Sequence, residues 1–172
     1  MDKKLISSLN MPSKHLKALR DWQATKVNTF EGKWFTKERK IKIPTALDII
    51  NRLENHWNIY VSPIFPEYKW HNFGEAWPVS YRCVAINVSA KELFASTVIH
   101  EVSHGIVECA KTFHKNGRKL KDPGHGAIWC GVYAYNTMLI TNKDITGPLA
   151  LHNIKQVNQD DILKFRDYFK NT

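Results

Sequence analysis

The sequence predicts an α+β domain. Short β-branched and aromatic runs cluster in the middle of the chain, at 59–62 and 81–88. Segments with apolar residues at helical spacing lie on both sides of them. The composition agrees: of 172 residues, 43% are hydrophobic and 24% charged, enough to bury a core. That balance excludes a disordered, collagenous or coiled-coil chain.

Each element has a local reason. Pro12 and Ser13 start a helix over 12–29, with Leu16, Leu19 and Trp22 at helical spacing, and Gly32 should break it. Residues 34–43 are charged and should be extended. Thr45-Ala-Leu-Asp48 reads as a capping box with Asp in place of Glu, opening a helix over 45–57 whose stripe is Leu47, Ile50, Leu53 and Trp57. Ile59 to Ser62 should form a strand ended by Pro63 and Pro66. Residues 67–80 should hold a strand or hairpin, and 81–88 is the best strand in the chain. Ser89-Ala-Lys-Glu92 reads as a second capping box, before a long helix to Phe113 carrying Leu93, Phe94, Val98, Ile99, Val102, Ile106 and Val107. Asn116-Gly117 is a turn signal. Asp122-Pro123 is an N-cap with Pro at the first helical position, predicting a helix over 123–139. Residues 141–157 should be irregular, and Asn158 should cap a last helix over 158–170.

Charge is uneven. Net charge is +9: +7 over 1–42, −3 over 43–110, +4 over 111–127 and +1 over the rest. The basic stretches suit contact with nucleic-acid phosphates, with Lys111, Lys115, Arg118, Lys119 and Lys121 as candidates; a solvated helix face and loop would look the same. Three scattered cysteines are no disulfide framework and favour a reducing compartment. No apolar run approaches the roughly 20 residues that span a bilayer, and no secretory signal opens the chain. The expected location is cytoplasmic or nucleoid-associated, with no membrane partner.

The chemistry is carried by His100-Glu101-Val-Ser-His104, an H-E-x-x-H motif. Residues four apart share a helical face, so both imidazoles can hold one ion. Glu101 lies beside them, placed to act on a water at the ion. A catalytic zinc takes a third protein ligand. Glu108 continues the same face, but eight helical residues rise about 12 Å, too far to converge on one ion. His71 and His114 are possible by position. His125 is preferred: it follows a glycine-containing turn, and Gly124 and Gly126 allow close approach. Glu108 or Asp122 could orient the imidazoles. Arg82, Tyr133 and Tyr135 are transition-state donors by type only, and for both tyrosines packing is the simpler role. Trp129 reads as a core anchor, and Cys109 and Cys130 as buried small hydrophobes.

His100-Glu101-Val-Ser-His104, a basic loop, then Asp122-Pro-Gly-His125-Gly126-Ala-Ile-Trp129 resembles the metallopeptidase domain of the SprT-like family, which includes the Spartan DNA-dependent proteases. Tyr81–Ser89 is similar to the strand before that family's active helix. The resemblance covers about residues 45–140. It implies a small zincin-like domain over 44–140 with a three-stranded, mostly antiparallel sheet, flanked by a basic extension over 1–43 and a C-terminal extension over 141–172. It implies one Zn2+ held by His100, His104 and His125, with Glu101 catalytic. The four-cysteine zinc ribbon of many bacterial members is absent. The expected activity is a zinc endopeptidase acting on DNA-associated proteins, with a protein or peptide substrate, DNA as a partner, and substrate added alongside Val84–Val88. Alternatives are a nucleic-acid- or protein-binding module with a structural or inactive zinc site, such as an antagonist of a DNA-acting system, and a cytosolic peptidase unconnected with DNA.

Overall fold

A computed structural model describes residues 13–67, 74–113 and 124–170. In chain order these form helices α1 (Ser13–Trp34) and α2 (Ile43–Trp57), strands β1 (Tyr60–Ile64), β2 (Glu75–Ser80) and β3 (Cys83–Asn87), a 3-10 turn (Ala90–Glu92), and helices α3 (Ala95–Phe113), α4 (Ala127–Thr141), α5 (Thr146–Leu151) and α6 (Gln159–Lys170). The class is α+β, as the sequence predicts.

The sheet is mixed, in the order β1-β3-β2. β1 runs parallel to β3 and β2 antiparallel to it, so the sheet is not mostly antiparallel. The parallel pair follows from the connection: the chain leaves β1 and crosses to the far edge as β2 before returning up the middle. As the middle strand, β3 buries Val84, Ala85 and Ile86. Pro63 does not end β1 but lies within it; an edge strand tolerates a residue without an N–H.

Helix α3 packs across β2 and β3, with α4 and α2 on it. Gly105 permits the close approach, since a Cβ there would lie 3.0 Å from Val84 Cβ. A buried chain of side chains fixes the three helices together. Trp57 Nε1 donates to Asn136 Oδ1 at 2.7 Å, Asn136 Nδ2 to Ser103 Oγ at 3.0 Å, and Ser103 Oγ to Ile99 O at 2.7 Å. Such a fully satisfied network orders a core that apolar packing alone would leave free to slide.

Helix boundaries depart from expectation where distant contacts override local signals. α1 runs through Gly32 to Trp34, whose ring stacks on Phe30 at 5.8 Å. One helical glycine costs about 1 kcal/mol, which tertiary packing readily offsets. Residues 35–42 form a turn and coil, not an extended strand. α2 begins two residues before the expected capping box, with Pro44 in its first turn; Leu47 is exposed, and Ala46 and Ile49 are buried instead. The second capping box is not used either. Residues 90–92 form the 3-10 turn and α3 starts at Ala95, where Glu38 supplies the cap: Oε1 accepts from Ser96 N at 2.9 Å, and Oε2 accepts from Ser96 Oγ. α4 starts at Ala127 with Gly126 as N-cap, not at 123. The segment expected to be irregular holds α5. Asn158 caps α6 as expected, Oδ1 accepting from Asp161 N at 2.9 Å. Asn116-Gly117 and Asp122-Pro123 lie outside the described residues.

Both flanking segments share the core. Val27 and Phe30 of α1, and Ile162, Phe165 and Phe169 of α6, belong to one hydrophobic cluster with the sheet, α2, α3 and α4.

Candidate metal centre

Residues 100–104 lie in the middle of α3, so His100 and His104 stack one turn apart. His125 sits in the turn before α4 and meets them from the side. The Nε2 atoms form a triangle: His100 to His104 3.1 Å, His104 to His125 3.2 Å, and His125 to His100 3.4 Å. Tetrahedral ligand bonds of 2.0–2.1 Å place ligand nitrogens about 3.3 Å apart, so the triangle fits three corners of such a site. The donor set fits as well: imidazole suits zinc and other first-row ions. Among the described residues, these histidines form the group able to hold a metal.

Trp129 is the floor under all three rings. Its indole stacks on His104 at 4.7 Å and meets His100 and His125 edge-on at 4.7 and 4.6 Å. It is fully buried, consistent with its expected anchoring role.

The surroundings keep imidazoles available as ligands. Burial, then His100 and His125, push His104 down to about 2; burial and His100 push His125 down to about 4. Both are therefore neutral near pH 7. His100 differs. Burial pushes it down, but the Glu31 carboxylate more than offsets this and leaves it raised. Glu31 Oε1 lies 2.8 Å from His100 Nδ1. Burial pushes Glu31 up, while His100 pulls it below the usual carboxylate range. The fully buried Tyr133 hydroxyl lies beside Glu31 without a hydrogen bond of good geometry; burial and Glu31 hold its phenol well above 10.

Glu101 is buried at 3% exposure, and burial, with Glu31 and Glu75 nearby, raises it to about 7 against the pull of His100. It faces a cavity of about 690 Å³ that also exposes the triad. One wall is α1, through Asn28, Glu31 and Gly32; another is the start of β2 and the residue before it, Gly74 to Trp77. Gly74 is needed there: a Cβ would collide with Glu101 Cγ and lie 2.7 Å from Asn87 O.

The structure thus brings His100, Glu101, His104 and His125 to one cavity. Glu108 lines its rim but pairs with Lys111 at 2.6 Å and touches no imidazole. Lys115, Arg118, Lys119, Lys121, His71, His114 and Asp122 lie outside the described residues. Neither Arg82, Tyr133 nor Tyr135 lines the cavity. Tyr135 packs on His56 and Trp57, and Arg82 lies over the Tyr81 ring at 5.6 Å. Cys109 and Cys130 are buried, as expected. The strand at 84–88 cannot accept substrate as an added strand, because β1 and β2 occupy both of its edges. Among the described residues, the outer edge of β2, whose first residues line the cavity, has no strand paired with it.

Two site residues, Glu31 and Gly74, were not among the expected ones. Glu31 lies 69 residues before its partner, in a helix with several other polar residues. Gly74 is one glycine in a loop-like stretch. No short-range pattern marks either.

No helix among the described residues is long and apolar enough to cross a membrane. No family model, no curated protein and no solved structure matches the chain.

Proposed function

We propose that the protein is a zinc-dependent endopeptidase of the SprT-like type, acting on DNA-associated proteins. The observation that carries this reading is the Nε2 triangle opening, beside a buried glutamate, onto a cavity walled by a free strand edge. His100, His104 and His125 would hold the ion. Zinc, when bound, supplies Lewis acidity and lowers the pKa of water from 15.7 to about 7. Glu101 takes the proton of the attacking water on its carboxylate and returns it to the leaving amine. An extended peptide can align along the free edge of β2, where main-chain groups bind without demanding a sequence. A purely structural metal site has no use for this carboxylate.

DNA contact falls to the basic segments 1–42 and 111–127. Among the described residues, no Lys or Arg lines the cavity. The test is proteolysis of casein and of a DNA-bound protein, with and without chelator and DNA. Turnover should need metal, rise with DNA, and fall at least about 100-fold in Glu101→Gln while zinc stays bound. Full turnover in Glu101→Gln, or proteolysis indifferent to chelator, contradicts the reading. Indifference to DNA, with binding that does not weaken in salt, contradicts its DNA part.

A further inference from the structure

We propose that Glu31 is a positioning residue that makes docking of α1 and metal binding one linked event. The proposal rests on reading the three imidazoles as a metal centre, and not on which reaction that centre performs.

The geometry is specific. An Nδ1–H of His100 donating to Glu31 Oε1 at 2.8 Å leaves the ring's lone pair on Nε2, the atom that faces His104 and His125. A carboxylate on the far nitrogen fixes a ligand imidazole's tautomer and orientation and raises its basicity. Among the described residues, no other carboxylate bonds to an imidazole of the triad. The Tyr133 hydroxyl, from α4, lies near the same carboxylate.

Glu31 comes from outside the motif-bearing elements and reaches His100 only when α1 is seated. Val27 and Phe30, both fully buried, seat it. Gln23 Nε2 donates to Lys155 O at 3.0 Å, and Lys26 Nζ to Asn153 O at 3.1 Å. Metal favours the oriented His100, and the oriented His100 requires seated α1. By thermodynamic linkage each must favour the other by the same factor. Since α1 continues the basic N-terminal segment, a polyanion that moves this helix would change how tightly metal is held.

The test uses the full chain and zinc alone. Affinity is measured by competition with a chromophoric chelator, for the unaltered protein, Glu31→Ala and Glu31→Gln. Glu31→Ala should weaken zinc binding about 10- to 100-fold. Glu31→Gln, whose amide oxygen still accepts from Nδ1–H, should recover part of that loss. A role confined to packing would lower stability in both variants and leave affinity alone. Independently, amide exchange over residues 23–34 of the unaltered protein should slow when zinc is added, and exchange in α6 should change much less. This second measurement decides the matter even if a variant does not fold. Unchanged affinity in folded Glu31→Ala, or exchange in α1 indifferent to zinc, overturns the proposal. Neither readout involves a substrate. An inactive protein that shows the linkage would refute only the peptidase reading; an active one without it would refute only the linkage.

Discussion

The two walls of the cavity touch different halves of the site. The helical wall, α1, reaches a ligand: Glu31 bonds to His100. The strand wall reaches the glutamate: Gly74 lies against the Glu101 side chain. On the function proposed above, one wall governs how the metal is held, and the other governs how Glu101 is aimed. On that reading, holding and reacting are set by separate elements that converge on one turn of α3. Damage to each wall should accordingly show in a different quantity.

The largest separation is expected at Gly74. In Gly74→Ala the new methyl must displace Glu101, because Asn87 O blocks the other direction. Misplacement of a reacting group by about 1 Å costs on the order of 100-fold in rate. Turnover should fall by about that factor while zinc affinity stays unchanged, the reverse of the expectation for Glu31→Ala. Steady-state proteolysis beside a zinc titration separates the two. Equal losses of zinc affinity in both variants would erase the distinction between the walls.

A smaller effect uses two buried thiols as reporters. Cys109 Sγ donates to Ser80 O and Tyr81 O at 3.2 and 3.1 Å, at the end of the strand wall. Cys130 Sγ lies 3.5 Å from Gln23 Nε2 of the helical wall. Burial pushes the Cys109 thiol up to about 12, so it should resist alkylation at pH 8 until the protein unfolds. Alkylation of Cys130 should quicken in Glu31→Ala and slow with zinc, with Cys109 indifferent to both. Mass spectrometry of the labelled peptides reads this. Parallel changes at both thiols would mean that the walls open together.

The triad and Glu101 were legible because i, i+4 spacing is a local property of a helix. His125 was legible because a glycine-flanked turn after a helix returns the chain to it. What could not be read has a common physical cause. The caps of α2 and α3, the order of the strands, Glu31 and Gly74 all depend on contacts between residues far apart in sequence. Glu38 displaced a plausible capping box because its carboxylate reaches Ser96 from 58 residues away. Strand 81–88 looks like an ideal docking edge by composition, but its composition reflects a central position covered on both sides.

The smallest expected effect lies away from both walls and serves as their control. His56 Nε2 sits 3.2 Å from Arg166 Nη1 of α6. Burial, then Arg166 and Lys170, hold it below its usual 6.5. The unfolded chain takes up a proton near pH 6.5 and the folded site does not, so the stability from keeping His56 neutral is present above that pH and is lost as pH falls through it. The site is half-buried, so the slope is modest. Going from pH 7.5 to 5.5 should lower the protection factors of the α6 amides, each taken against its intrinsic exchange rate at that pH, and His56→Gln should flatten that dependence. An identical slope in the variant would remove His56 as its source.

The central claim is that His100, His104 and His125 together hold one ion. Its most direct test is the metal content of the purified protein beside that of His125→Ala. We expect one tightly held zinc per chain, lost on dialysis of the variant with its fold retained. Stoichiometric, tightly held zinc in His125→Ala would contradict the account.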